Sequence, residues 1–432
     1  LILVLSLTSY NNFPLYLLCR EHSGASGNFF ILNSTAINRL FYLPLALLCC
    51  CSPAQDPITN SSPEIDAANT EAREDSLALV AAYEAQSKIQ AAVTAAVETE
   101  NSRAQMMDDA ADDPAIWVHP QQPGQSLIFG SNKMGGLAAY DLSGREVEYY
   151  PIGKINNVDI LYRVPFRGNT ISLLGCSNRT DQSVDLFSID PATGALTDVA
   201  AGPLAMDSTV IDDIYGFCLG RNQSTNQVYV IINGKNGRML QYLLVEQKEG
   251  FGLELIRDIA FPSQTEGMVA DNELGWLYVG EEAAGVWKLP LDPSKDEKLI
   301  GDGAQVQKAI PAATVSQNEN IVADVEGIAL IKTGPKQGYL VVSVQGNFSY
   351  AVFNRAGDNE YLGSFKIEDG DVIDGVEETD GLEVIPDSLS PQFPGGLLVV
   401  QDGFNYQADT LIPQNFKLVD WRQVIEALSM DH

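Results

Sequence analysis

Ser263 to Glu282 reads SQTEGMVADNELGWLYVGEE: an acidic residue and a glycine, a short apolar run, a polar turn, and a second apolar run ending in two glutamates. Apolar runs of strand length separated by Asp, Asn and Gly are the pattern of two adjacent β-strands joined by a hairpin loop. The same unit recurs. DDPAIWV at Asp113, NNVDILY at Asp159, IYGFCL at Tyr215, TEGMVA at Glu266, VEGIAL at Glu326 and TDGLEV at Asp380 each place a polar residue shortly before an apolar strand. These six copies repeat at about fifty residues, the range of propeller blades. Each copy has a second strand with a polar end: Asn132 and Lys133, Asn178 and Arg179, Gly234 and Lys235, Glu281 and Glu282, Gln345 and Gly346, Gln401 and Asp402. The first marker precedes the second by 19 residues in four copies, 15 in the fourth and 21 in the sixth. The expected fold is all-β, a six-bladed β-propeller whose last blade is closed by a strand from Ala91 to Glu100, leaving no free sheet edge.

Rotation about one channel brings equivalent positions together, so each set of markers forms a ring. Turn formation and strand capping account for the Asn, Asp and Gly residues. They do not account for Lys133, Arg179 and Lys235, three cations on successive blades.

The chain of 432 residues carries 57 acidic against 26 basic side chains, a formal net charge of −31. Nucleic acid is excluded as a partner, because phosphate neutralisation needs a basic surface. Carboxylates in such excess repel one another unless cations screen them, and hard oxygen ligands suit calcium. The plain alternative for most of these acids is solubility. The three histidines, His22, His119 and His432, form no zinc pattern, and no GxSxG elbow occurs. His119 reads as a turn residue beside Pro120. Cys176 and Cys218, the two cysteines in the body of the chain, sit in apolar runs and are expected as buried small side chains ahead of a bridge between blades.

Arg39, the apolar run Leu40 to Leu48 and then Cys49, Cys50, Cys51, Ser52 and Pro53 have the order of an export signal, in a run too short to span a bilayer. The protein is expected outside the cytoplasm, secreted, periplasmic or lipid-anchored through Cys49, although Leu48 stands where a lipoprotein signal has a small residue. The expected organisation is a targeting region at 1–52, an acidic, Ala- and Ser-rich linker at 53–90, and the propeller at 91–432. Ser76 to Val97 carries a weak helical pattern. No stable membrane span and a monomer are expected.

Asp324 and Glu326 clustered with Glu266, Glu281 and Glu282 cannot all remain ionised in a cleft without metal ions. Oxygen ligands without histidine or thiolate favour calcium or magnesium over zinc, and calcium tolerates irregular geometry. Cations beside such a cluster suit a substrate with several phosphates. A multi-metal site hydrolyses phosphates by activating water and clamping oxygens, with no protein nucleophile. DGDVIDGVEETDG, Asp369 to Gly381, looks like a calcium loop but departs from the EF-hand pattern at Ile373.

From about Ala91 to Trp421 the chain resembles the β-propeller phytases, on DDPAIWV, GKINNVDI, SNRTD, YGFCL, SQTEGMVADNELGWLYVGEE, DVEGIAL, VSVQGNFSYAVF, TDGLEV, VVQDG and QNFKLV, in that order. The resemblance implies several calcium ions and hydrolysis of calcium phytate, myo-inositol hexakisphosphate, to lower inositol phosphates and phosphate. It implies calcium ligands at Asp112, Tyr215, Glu266, Glu282, Asp324, Glu326, Gln345 and Asp380. Lys133 and Arg179 match its phosphate-binding cations, and Lys235 a cation of an adjacent phosphate site. Among these, Glu266, Glu282, Tyr215, Arg179 and Lys133 would be the catalytic group. Asp374, Asp402 and Asn405 fall where structural calcium is implied, within a stretch that departs from the family between Phe404 and Pro413. Met134 departs too, where the family commonly has a second lysine, which weakens the adjacent site. The alternatives are a calcium-dependent propeller hydrolase of the lactonase type, which has no use for three convergent cations, and a non-catalytic binding propeller.

Overall fold

Short turns return each apolar run beside its predecessor, so each repeat folds as a sheet with its first three strands antiparallel in chain order. The computed structural model describes residues 76–295, 304–305, 309–408 and 410–430. The targeting region, Cys49 and most of the expected linker lie outside them. Residues 81–407 with 412–432 form one unit, and the other contributes only the helical residues 76–80 and positions 408 and 410–411 to the description.

Six sheets make six blades. Their innermost strands are Ala111–Trp117, Ile155–Phe166, Ile214–Arg221, Thr265–Asp271, Val325–Gly334 and Leu382–Ile385. The second strands are Leu127–Asn132, Asn169–Asn178, Val228–Gly234, Trp276–Glu281, Gln337–Val344 and Leu397–Asp402. Hydrophobic side chains fill the gaps between adjacent blades in six clusters, one per gap. The cluster holding Ile128, Tyr140, Phe393 and Phe416 joins the sixth blade to the first, which closes the ring.

The amino-terminal strand completes two blades, where the sequence predicts one. Ala91–Val93 pairs in parallel with Tyr361–Ile367 of the fifth blade, and Val97–Glu98 pairs antiparallel with Asn415–Asp420 of the sixth. The helical pattern expected up to Val97 ends at residue 86. Val93 and Val97 are buried against the blades instead, where β-branched side chains pack well and the backbone finds sheet partners. Cys176 and Cys218 are buried free thiols. His119 sits in a turn, its Nδ1 accepting from the backbone of Gln121 and Gln122.

Candidate active site

A bulge repeated from blade to blade builds the site. Ala111 pairs with Asn132 and Pro114 with Gly130, so two residues, Asp112 and Asp113, oppose Ser131 alone. The same irregularity follows Ile155, Ile214, Thr265 and Val325 in the next four blades. A bulge bends its strand and re-aims a side chain. The first bulged residues are Asp112, Asn156, Tyr215, Glu266 and Glu326. Partner-strand side chains satisfy several displaced N–H groups: Ser131 accepts from Asp113, Ser177 from Asn157 and Asn233 from Gly216. In the sixth blade Gln401 accepts from Asp380.

The ring therefore differs from the sequence expectation on two blades. Asp113 and Asp159 are not its members: in the first blade Asp112, the first residue of the bulge, takes the place of its neighbour, and in the second Asn156, three residues before Asp159, holds the position. Asp113, Asp159 and Glu383 instead accept backbone N–H groups, from Val158, Leu219 and Val384 respectively. On the second strands the ring is Lys133, Arg179, Lys235, Glu282 and Gln345. Val344, not Gln345, pairs with Val325, which moves the fifth-blade pair back by one residue.

Glycine follows the ring residue wherever the neighbouring blade leaves no room. A Cβ on Gly216 would lie 2.0 Å from the carbonyl oxygen of Glu266, and one on Gly267 would lie 2.1 Å from that of Glu326. The YG, EG and DG pairs are the mark of ring residues stacked carbonyl to backbone.

Asp112, Glu266 and Asp380 bring carboxylate oxygens within 4.8 Å of one another, and so do Glu266, Glu282 and Glu326. Glu266 belongs to both triads. Both oxygens of Asp112, Oε2 of Glu266 and Oε2 of Glu326 are buried without a hydrogen-bond partner. Burial and then Asp380 push the Asp112 and Glu266 carboxyls up, and burial and then Glu266 raise Glu326. Burial lifts Glu282 to about 7. Orphaned buried carboxylate oxygens with no imidazole or thiolate among them fit a hard cation.

Lys133 lies inside this cluster, its ammonium 2.6 Å from Asp109, 3.2 Å from Asp380 and 3.6 Å from Asp112. Burial pulls its pKa down, but Asp112, Asp380 and Asp109 outweigh burial and hold it well above the usual lysine value. Arg179 forks onto Asp213, with Nη2 2.6 Å from Oδ2. The Tyr215 ring has the Arg179 guanidinium carbon 5.6 Å from its centroid and the Lys235 ammonium at 4.6 Å. Burial and then Glu266 raise the Tyr215 phenol far above its ordinary value. Glu281 is withdrawn: it accepts from Ser263 at 2.5 Å and from the Trp287 indole at 2.7 Å. Asp324 is exposed, and its charge falls on the neighbouring Glu282; its carbonyl accepts from Gln345.

A model of the phytase family matches residues 65–432. A 3-phytase of Bacillus subtilis is 39% identical over 324 residues, covering 74% of this chain and 82% of that protein. The chain belongs to the phytase family. Regucalcin, a calcium-binding protein from Agrobacterium tumefaciens, superposes with a TM-score of 0.46 at 12% identity, over 77% of this chain and 97% of that one.

In this phytase the residues expected around a structural calcium, Asp374, Asp402 and Asn405, do converge, but on an ammonium group. Lys417 lies 2.7 Å from Glu98, 3.0 Å from Asn405 and 3.4 Å from Asp402, and also pairs with Asp374. Neither Lys417 nor Glu98 was singled out for this cluster by sequence. They lie 319 positions apart, and only the closing strand pair joins them. Asn156, Asp109 and Asp213 were missed as well: Asn156 sits three residues before the Asp159 marker, and the other two lie in loops without strand periodicity.

Proposed function

We propose that this phytase is a calcium-dependent, exported 3-phytase that releases phosphate from myo-inositol hexakisphosphate at the ring. The pair of carboxylate triads sharing Glu266 beside Lys133, Arg179 and Lys235 carries this reading. Asp112, Glu266, Glu282, Glu326 and Asp380 would hold calcium, with Tyr215, Asp324 and Gln345 as further oxygen ligands. Calcium, when bound there, supplies positive charge against the phosphate oxygens and acidifies water. Water attacks phosphorus, the bond from phosphorus to the inositol oxygen breaks, and the products are inorganic phosphate and an inositol hydroxyl.

Lys133 and Arg179 bind oxygens of the phosphoryl group as charge redistributes, and Lys235 binds a neighbouring phosphate. Export rests on the apolar run at 40–48; no described helix is long and apolar enough to cross a membrane.

Phosphate release from sodium phytate is the test, measured with chelator and with calcium restored, on the native chain and on Glu266→Gln. Release that needs calcium and is lost in the variant is expected. Equal release with chelator, or an active variant, would overturn the calcium reading.

A further inference from the structure

The guanidinium of Arg179 is held from two sides by groups outside the expected ligand set. Nε donates to Oδ1 of Asp213 at 3.2 Å and Nη2 to Oδ2 at 2.6 Å, a two-point fork that fixes the plane of the group. Nη1 donates to Oδ1 of Asn156 at 3.3 Å, and Nδ2 of the same buried amide donates to Glu266 at 2.7 Å. An arginine has five N–H donors, so two remain, one on each terminal nitrogen. The carbonyl of Asp213 meanwhile accepts from the backbone of Lys235 at 3.2 Å. One residue thus touches two of the three ring cations.

We propose that Asp213 is a positioning residue for phosphate recognition, clamping Arg179 so that its two uncommitted N–H groups are presented as a fixed pair. A long, partly exposed arginine side chain samples many rotamers, and a substrate would otherwise have to immobilise it. Asp213 performs that ordering before the substrate arrives. Asn156 supports it from the other side and ties the guanidinium to the carboxylate shared by both triads. The aspartate side chain is 31% exposed and that of Arg179 24% exposed, so the pair lies at the mouth and not in the core. The pair bridges the second and third blades, but a partly exposed ion pair adds little to stability, so its role is in geometry. The inference rests on the reading of Arg179 as a phosphate-binding cation.

Steady-state kinetics on calcium phytate, with melting curves, test it on Arg179→Ala, Asp213→Ala, Asp213→Glu and the double alanine variant. Asp213→Ala is expected to lower kcat/KM by roughly ten- to a hundredfold, the scale of a misplaced binding group, with an unchanged melting temperature. The double variant should be no slower than Arg179→Ala alone, because the aspartate acts through the arginine. Asp213→Glu, which can rebuild the fork, should recover most of the loss. Multiplying defects in the double variant, or normal turnover in Asp213→Ala while Arg179→Ala is impaired, would overturn the role of Asp213 alone. Near-normal turnover in Arg179→Ala would remove the phosphate-binding reading and the inference with it.

Discussion

Lys417 and Glu98 are direct partners across the strand pair that closes the sixth blade, and their side chains meet at 2.7 Å. The lysine side chain is fully buried, and it also compensates Asp374 and Asp402. Lys417→Met should therefore cost about 3–5 kcal/mol, the range for stripping the partner from buried charge. Urea unfolding of native and variant protein checks this. A change below about 1 kcal/mol, the scale of an exposed ion pair, would contradict it.

Glu266→Gln removes a charge that two triads share. In metal-free protein the variant should melt higher than the native chain, since a buried carboxylate raised by desolvation and by Asp380 is gone. In calcium the order should reverse, because ligand binding stabilises only a protein that holds the ligand. Melting curves of both proteins, chelated and calcium-replete, give four temperatures whose order decides the matter.

The metal-free protein should also lose stability as pH rises. Burial raises Glu282 from 4.5 to about 7, so the folded state keeps a proton that the unfolded state has released. The contribution is fully present below pH 4.5 and is lost as pH passes through about 7. Asp112 and Glu326 shift in the same direction. Chelated protein should melt lower at pH 8 than at pH 5, and saturating calcium should abolish or invert that difference.

Arg179→Ala should cut turnover of phytate by about 10² or more, the loss expected for one preorganised electrostatic contact. Its chelator-sensitive melting should stay as in the native chain. Normal turnover with intact stability would place Arg179 outside the site.

Gly267→Ala tests the architecture of the ring. The added methyl would lie 2.1 Å from a backbone oxygen of Glu326, so the fourth and fifth blades would have to separate. A lowered melting temperature and a loss of the calcium increment are expected, measured by calorimetry with and without calcium. Unchanged curves would show that the blades give way freely.

Six apolar hairpins with similar spacing make the fold legible, and the polar residues before them mark four of the six ring positions, Tyr215, Glu266, Glu326 and Asp380. Asp113 is misplaced by one residue because a bulge adds a residue to the inner strand, and sequence alone cannot show which of its two residues turns inward. Asp159 is misplaced by three because the second-blade ring position holds an amide, Asn156, and the nearest carboxylate lies further along the strand. Tyr215, Glu266, Glu326 and Asp380 each immediately precede a glycine that the adjoining blade makes necessary, a mark that Asp113 and Asp159 lack. Lys417 is not legible in the sequence because it lies within an apolar strand, and its strand partner Glu98 comes from the opposite end of the described chain. Asp213 is not legible there either, because a loop carboxylate shows its value only once the strand end bearing Arg179 is seen beside it.

The double duty of the segment from Ala91 to Glu98 sets an order on how the molecule can be made. Its first half needs Tyr361–Ile367 and its second half needs Asn415–Asp420, so the first strands among the described residues must wait for some of the last of them. Until those later strands emerge the segment has no sheet edge to join, and it is open to pairing with another chain. Completion of the ring is thus a late, long-range event in the life of the nascent protein, and a chain truncated before Asn415 would keep the partner of Ala91–Val93 but leave Val97–Glu98 with nothing to fasten to.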